Sequence, residues 1–97
     1  MIKIDKASRM PVYIQIANAL IAEIVNGKMR AGLKLPGSRK LAEILMVHRK
    51  TIVAAYEELE SQGWILSIPS KGSFVNENIP IYPERGEETV KPQSDEN

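Results

Sequence analysis

The stretch that most constrains the fold is LPGSRKLAEILMVHRKTIVAAYEELESQGW, residues 35–64, which reads as two short helices separated by a tight turn. Leu41, Ala42 and Leu45 form a narrow apolar stripe at i, i+1, i+4, predicting a helix from about Ser38 to Leu45. Pro36 and Gly37 precede it, and Ser38 is expected to serve as its N-cap. Met46 and Val47 interrupt the pattern. Ile52, Ala55, Tyr56 and Leu59 then recur at i, i+3, i+4, i+7, predicting a second helix from about Arg49 to Gln62. Gly63 is expected to end it in a left-handed conformation, with Trp64 folding back on Leu59.

Charge along the second helix runs against the helix dipole. Arg49 and Lys50 occupy the first turn, with His48 just ahead, while Glu57, Glu58 and Glu60 lie in the second half. The dipole favours the opposite order by roughly 0.3 to 1 kcal/mol per exposed charge. A local rule broken without structural gain points to function. The basic end suits approach to a polyanion, as the leading end of a DNA-recognition helix requires; a solvated face whose charges do nothing is the competing reading.

The rest of the chain frames this pair. Pro11 suits the first position of a helix carrying Tyr13, Ile16, Ala17, Leu20 and Ile24 on one face, with Asn26 and Gly27 stopping it. Ile14, Ile21 and Val25 form a second stripe that either widens the core face or meets another chain. Leu33 and Leu35 flank Lys34 in the alternation of a very short edge strand. Beyond Trp64, Ile65 to Ile68 and Ser73 to Val75 read as strands. Pro69 to Gly72 form the turn between them, with Lys71 near the tip and Phe74 as an inward anchor. The fold class is therefore α+β and mainly helical, three helices followed by a hairpin. Residues 1–76 form one domain, and residues 77–97, with Pro80, Pro83, Pro92 and the polar end QSDEN, a flexible acidic linker or tail.

Length and composition narrow the functions. Ninety-seven residues suffice for one small core. No run approaches the roughly 20 apolar residues that cross a bilayer, MIKIDK lacks a signal-peptide core, and there is no cysteine, so a cytoplasmic protein without membrane contact is expected. One histidine, no phosphate-cradling glycine loop and no paired acid and base argue against an enzyme, and no metal site or cofactor is expected in this chain. The net charge of +1 conceals an asymmetry: residues 1–75 carry eleven basic against six acidic side chains, and residues 76–97 two against six. A basic folded part suggests a polyanionic partner.

The ordered motifs VYIQIANALIAEIVNGK, AGLKLPGSRKLAEIL, HRKTIVAAYEELESQGWI and SKGSFV resemble the N-terminal DNA-binding domain of GntR-family bacterial transcription regulators, a winged helix-turn-helix. Ser38-Arg39, Ala55-Tyr56 and Gly72-Ser73-Phe74-Val75 look most like the MocR subfamily. There the resemblance implies a downstream domain shaped like a pyridoxal-phosphate aminotransferase, beyond residue 97. It also implies binding of double-stranded DNA, with the recognition helix 49–62 in the major groove and the wing 65–75 on the backbone or minor groove, and a homodimer in the intact protein. The alternative is a winged-helix protein-interaction module that uses Val53 and Ala54 instead of touching DNA.

Residue by residue, the resemblance implies DNA contacts from Arg39, Arg49, Thr51 and Gly72; Lys50 and Lys71 join them on charge alone, and His48 as a possible phosphate donor. Arg49 can read O6 and N7 of guanine with its fork or simply grip a phosphate. Arg39 could instead pair with Glu43, Lys50 could be a free surface lysine, Thr51 could be buried under the turn, and Lys71-Gly72 could be an ordinary turn. Tyr56 and Trp64 are expected in the core. Two departures from the family pattern stand out: Met46-Val47-His48 replaces the usual Gly-Val-Ser, and Ala54 stands where many MocR-like chains have arginine.

Overall fold

The computed structural model describes residues 2–80. Three helices come first, α1 (Val12–Val25), α2 (Ser38–Leu45) and α3 (Arg49–Ser61), followed by strands β1 (Ile65–Ile68) and β2 (Gly72–Val75). The stripes predicted from spacing are the faces that are buried: Ile16, Ala17, Leu20 and Ile24 of α1, Leu41 and Ala42 of α2, and Ile52, Ala55, Tyr56 and Leu59 of α3. They meet in one core with Leu35, Trp64, Ile65 and Val75, and Ile2, Ile4 and Ile79 pack against it from the two flanking segments. The second stripe of α1 divides: Ile21 packs on the core, while Val25 is half exposed.

Helix ends follow backbone chemistry more than side-chain caps. Pro11 is the N-cap of α1 and not its first residue: its ring holds φ at a helix-compatible −56°, but its ψ of 146° is extended and its carbonyl accepts from the Ile14 and Gln15 amides. Gly37, not Ser38, is the N-cap of α2; Ser38 is already helical, and its hydroxyl is engaged elsewhere. The end of α3 is as expected. Gly63 takes φ +88°, its amide donates to the Glu60 carbonyl, and the Trp64 amide donates to the Leu59 carbonyl at 2.9 Å. That paired closure turns the chain so that Trp64 is buried beside the helix it has just left.

The hairpin is antiparallel, with Ile65 opposite Val75, Leu66 opposite Phe74 and Ile68 opposite Gly72. Gly72 is thus the first residue of β2, one position earlier than the sequence suggested. Because strand residues alternate faces, the buried Ile65–Val75 pair puts Leu66 and Phe74 on the opposite side. Phe74 is therefore half-buried away from the core and is not the inward anchor expected. Lys34 bridges to Phe74, the Leu35 amide donates to the Ser73 carbonyl and the Val75 amide to the Leu33 carbonyl, so the predicted short strand adds one rung to the far edge of β2.

Tyr56 ties α3 to the start of α2. Its hydroxyl donates to the Pro36 carbonyl at 2.6 Å, and burial pushes the phenol from 10.0 up to about 12. Desolvation favours the neutral form in the folded protein, so this group's contribution is intact below about pH 10 and is lost as pH rises towards 12, on the order of 2 kcal/mol in all. Tyr56→Phe should therefore be less stable than the parent near neutrality and should lose less on going to about pH 11, measured by urea denaturation at both pH values.

Candidate nucleic-acid interface

The start of α3 is presented to solvent. His48, Arg49 and Lys50 are exposed and Thr51 is half-buried, while Ile52, the next residue, is wholly inside. Ile52, Ala55, Tyr56 and Leu59 anchor one face in the core; helical spacing sets Lys50 opposite that face, and Arg49, nearer to it, is exposed as the first residue of the helix. Thr51 stands between its two readings, half-buried where it meets Met46, Val47 and His48 of the turn. No acidic residue lies in the first turn of α3, and His48 takes the extended geometry of an N-cap without a side-chain cap bond. The positive end of the helix and its cations therefore face the same way.

The acidic half is engaged locally. Glu58 accepts from Gln62 Nε2 at 2.6 Å, and Glu60 accepts from Ser67 Oγ at 3.2 Å, a bond that also joins α3 to β1.

Two flanks carry this exposed start towards other elements. On one, Lys50, Thr51 and Ala54 share a shallow depression with Val12 and Tyr13 of α1, and Thr51 and His48 share another with Met46, Val47 and Lys6 of the N-terminal segment. On the other, Val53 and Ser38 line an open depression of about 460 Å³ together with Lys34, Lys71, Gly72 and Ser73. The hairpin tip thus stands beside the start of α2, whose Ser38 holds Arg49, and beside Val53 of α3. Its turn has Pro69 followed by Ser70 at φ +64°, closed by the Lys71 amide on the Ile68 carbonyl, and Lys71 and Gly72 are both exposed. Arg39 is exposed one residue beyond Ser38.

Arg49 is not a free surface side chain. Its Nε donates to Ser38 Oγ at 3.0 Å, across the turn between the helices. The bond uses Nε and leaves the two terminal nitrogens without a hydrogen bond among the described residues, donors that can serve a two-pronged contact. Sequence alone assigned Ser38 to capping; only folding brings its hydroxyl to the arginine eleven residues later. Lys34 and Lys6 were likewise not singled out from the sequence, although a bias of basic residues along 28–50 was visible in it.

Residues 8–75 match the family described as "Bacterial regulatory proteins, gntR family". The chain belongs to that family. It is 38% identical over 78 residues to the HTH-type transcriptional repressor YtrA of Bacillus subtilis, a match covering 80% of this chain and 60% of the repressor's length. The solved structure of YtrA from Sulfolobus acidocaldarius, described as a GntR-family transcription factor, superposes with a TM-score of 0.73 at 39% identity, covering 77% of this chain and 79% of that one. The DNA-binding domain of AraR in complex with operator ORX1 superposes with a TM-score of 0.67 at 32% identity, covering 73% and 88%. The three helices and hairpin are accordingly the winged helix-turn-helix of this family. Among the described residues no helix is long and apolar enough to cross a membrane.

The departure at the turn has a structural cost. Met46 adopts φ +58°, ψ +47° at the end of α2, and 83% of its surface is exposed, so no packing offsets the strain. A side chain in the left-handed region costs about 1 to 2 kcal/mol, of which a glycine returns about half after its own entropy loss. Serine at position 48 would supply the missing cap, worth about 1 kcal/mol. Met46→Gly combined with His48→Ser should therefore raise the melting temperature by roughly 6 to 12 °C. An unchanged or lower melting temperature would show that the turn is not strained.

Proposed function

We propose that this chain is the sequence-specific, double-stranded DNA-binding part of a bacterial transcription regulator. The start of α3 enters the major groove, and the tip of the wing lies on the neighbouring backbone or in the minor groove. The observation that carries the reading is the common exposure of Arg49, Lys50, Lys71 and Gly72 around a helix whose other face is locked in the core. The AraR domain, of the same fold, is described in complex with operator DNA.

In this reading Arg49, steadied by Ser38, offers its terminal nitrogens to O6 and N7 of a guanine, a contact worth about 1 to 3 kcal/mol of discrimination. Lys50 and Thr51 reach the adjoining base edges or phosphates. Arg39, His48 and Lys71 neutralise phosphates and release counterions, and Gly72 lets the wing backbone approach closely. A homodimer of the intact protein would place two such modules on a two-fold operator and raise affinity through effective concentration. The chain spans about three fifths of the YtrA repressor it matches. A short regulator of the YtrA kind accounts for that coverage; the MocR arrangement, resting on Ser38-Arg39, Ala55-Tyr56 and residues 72–75, would add an aminotransferase-shaped domain, and the length of the intact gene product decides between them.

The protein-interaction alternative fares less well, because Val53 and Ala54 are half-buried and share their depressions with Lys71 and Lys50. Selection from a pool of random-sequence duplexes tests the proposal. It should enrich one motif whose affinity falls linearly in log–log terms as salt rises from about 50 to 200 mM. A pool that yields no motif, or binding indifferent to salt, would refute it.

A further inference from the structure

Lys34 lies outside the two helices of the motif and outside the wing, yet its side chain runs across Gly72, the first residue of β2. A Cβ built on Gly72 would sit 3.0 Å from Lys34 Cε and 3.8 Å from Nζ. Two features set this up. The Lys34–Phe74 bridge, with the Leu35 amide on the Ser73 carbonyl, fixes the lysine backbone against the edge of β2. Gly72, at φ +120°, offers bare backbone where any other residue would carry a side chain. The stem of Lys34 fills that space.

The result is a second ammonium beside Lys71. Both lysines line the depression that opens between the start of α2, Val53 of α3 and the wing, and both are exposed. Among the described residues no carboxylate lines this depression; Glu60 accepts from Ser67 Oγ, which lines it and lies 3.4 Å from Ser73 Oγ. An exposed lysine keeps most of its freedom when its charge merely points to water. Here the stem is laid in a defined place, so less is lost when the ammonium meets a fixed anion.

We propose that Lys34 is a phosphate-contacting residue of the DNA interface, held over the wing by the missing side chain of Gly72. The inference rests on the DNA-binding reading and adds a contact to it. Lys34 meets the sugar-phosphate backbone beside the wing, positioning the protein without reading sequence. Gly72 then has two tasks, approaching the duplex itself and making room for the lysine.

The test compares the parent chain with Lys34→Met and Lys34→Arg on a random-sequence duplex, by fluorescence anisotropy over a salt series. Methionine keeps an apolar stem on Gly72 and removes the charge, so the melting temperature should stay at the parent value. Its affinity should fall about threefold to tenfold at low salt, and the slope of log K against log salt should shrink by about one. Arginine should keep the parent slope. Gly72→Ala should weaken the parent more than it weakens Lys34→Met, because the displaced charge is already absent there. If Lys34→Met keeps both affinity and slope while the parent shows strong salt-dependent binding, the inference is overturned and the DNA-binding reading stands. If the parent itself binds no duplex, both fall.

Discussion

Replacing Arg49 with alanine should lower affinity for the selected operator at least tenfold, about 1.4 kcal/mol or more, while the melting temperature stays within a few degrees of the parent. The side chain is exposed and its one hydrogen bond among the described residues, to Ser38 Oγ, is at the surface, so its removal leaves no buried partner unsatisfied there. What it takes away is a guanidinium held through Nε, with its terminal nitrogens left for a two-pronged contact. The pattern of loss separates the two roles open to it. A base-reading arginine should relax selectivity at one operator position and leave random-sequence binding nearly intact. A phosphate-gripping one should weaken every duplex alike and reduce the salt slope. Unchanged operator affinity would remove the main support for the proposed function.

The complementary result comes from the opposite face of the same helix. Leu59 is wholly buried and packs among Tyr56, Trp64 and the α1 stripe in the single core. Leu59→Ala should cost about 3 kcal/mol through lost transfer energy and the cavity left behind. Against the roughly 5 to 15 kcal/mol that holds a small domain together, this is severe, and the melting temperature should drop by roughly 10 to 20 °C. DNA binding should then fail on warming in step with the loss of helical circular dichroism, whereas Arg49→Ala should bind its operator more weakly while fully folded. If Leu59→Ala melted like the parent, α3 would not be anchored as described, and the outward setting of its basic start would lose its cause.

The parts of the fold legible in the sequence were those set by local periodicity and by backbone chemistry. The i, i+3, i+4 recurrence placed α2 at its observed bounds and α3 to within a residue, and Gly63 could be recognised as a terminator because few residues other than glycine sit comfortably at φ +88°. Side-chain destinations were harder to read. Ser38 has the chemistry of a cap, but a hydroxyl can serve either a backbone amide or a guanidinium, and only the fold decides which is near. Phe74 has the size of a core anchor, but strand alternation assigns it the face opposite Val75, and register is a pairing property that one strand does not reveal. Lys34 and Gly72 are joined by contact across the sheet, which no local pattern encodes.

The interface follows the same division. The charge order along α3 marked its start as exceptional, and the structure supplies the setting: Ile52, Ala55, Tyr56 and Leu59 pin one face of the helix in the core, while its first residues, Arg49 and Lys50, and His48 before them stay exposed. The wing's place beside that start depended on the closure at Gly63 and Trp64, which sends the chain into β1 at a fixed angle.

The central claim is that one duplex touches the start of α3 and the wing together. Titrating the isotopically labelled protein with its selected operator and following backbone amide shifts by NMR tests it most directly. Shifts should concentrate at residues 34–39, 48–51 and 71–72 and be small at Glu57 to Ser61 and on the Leu66–Phe74 face. Shifts centred on that face or on the acidic end of α3, with residues 48–51 unmoved, would contradict the account.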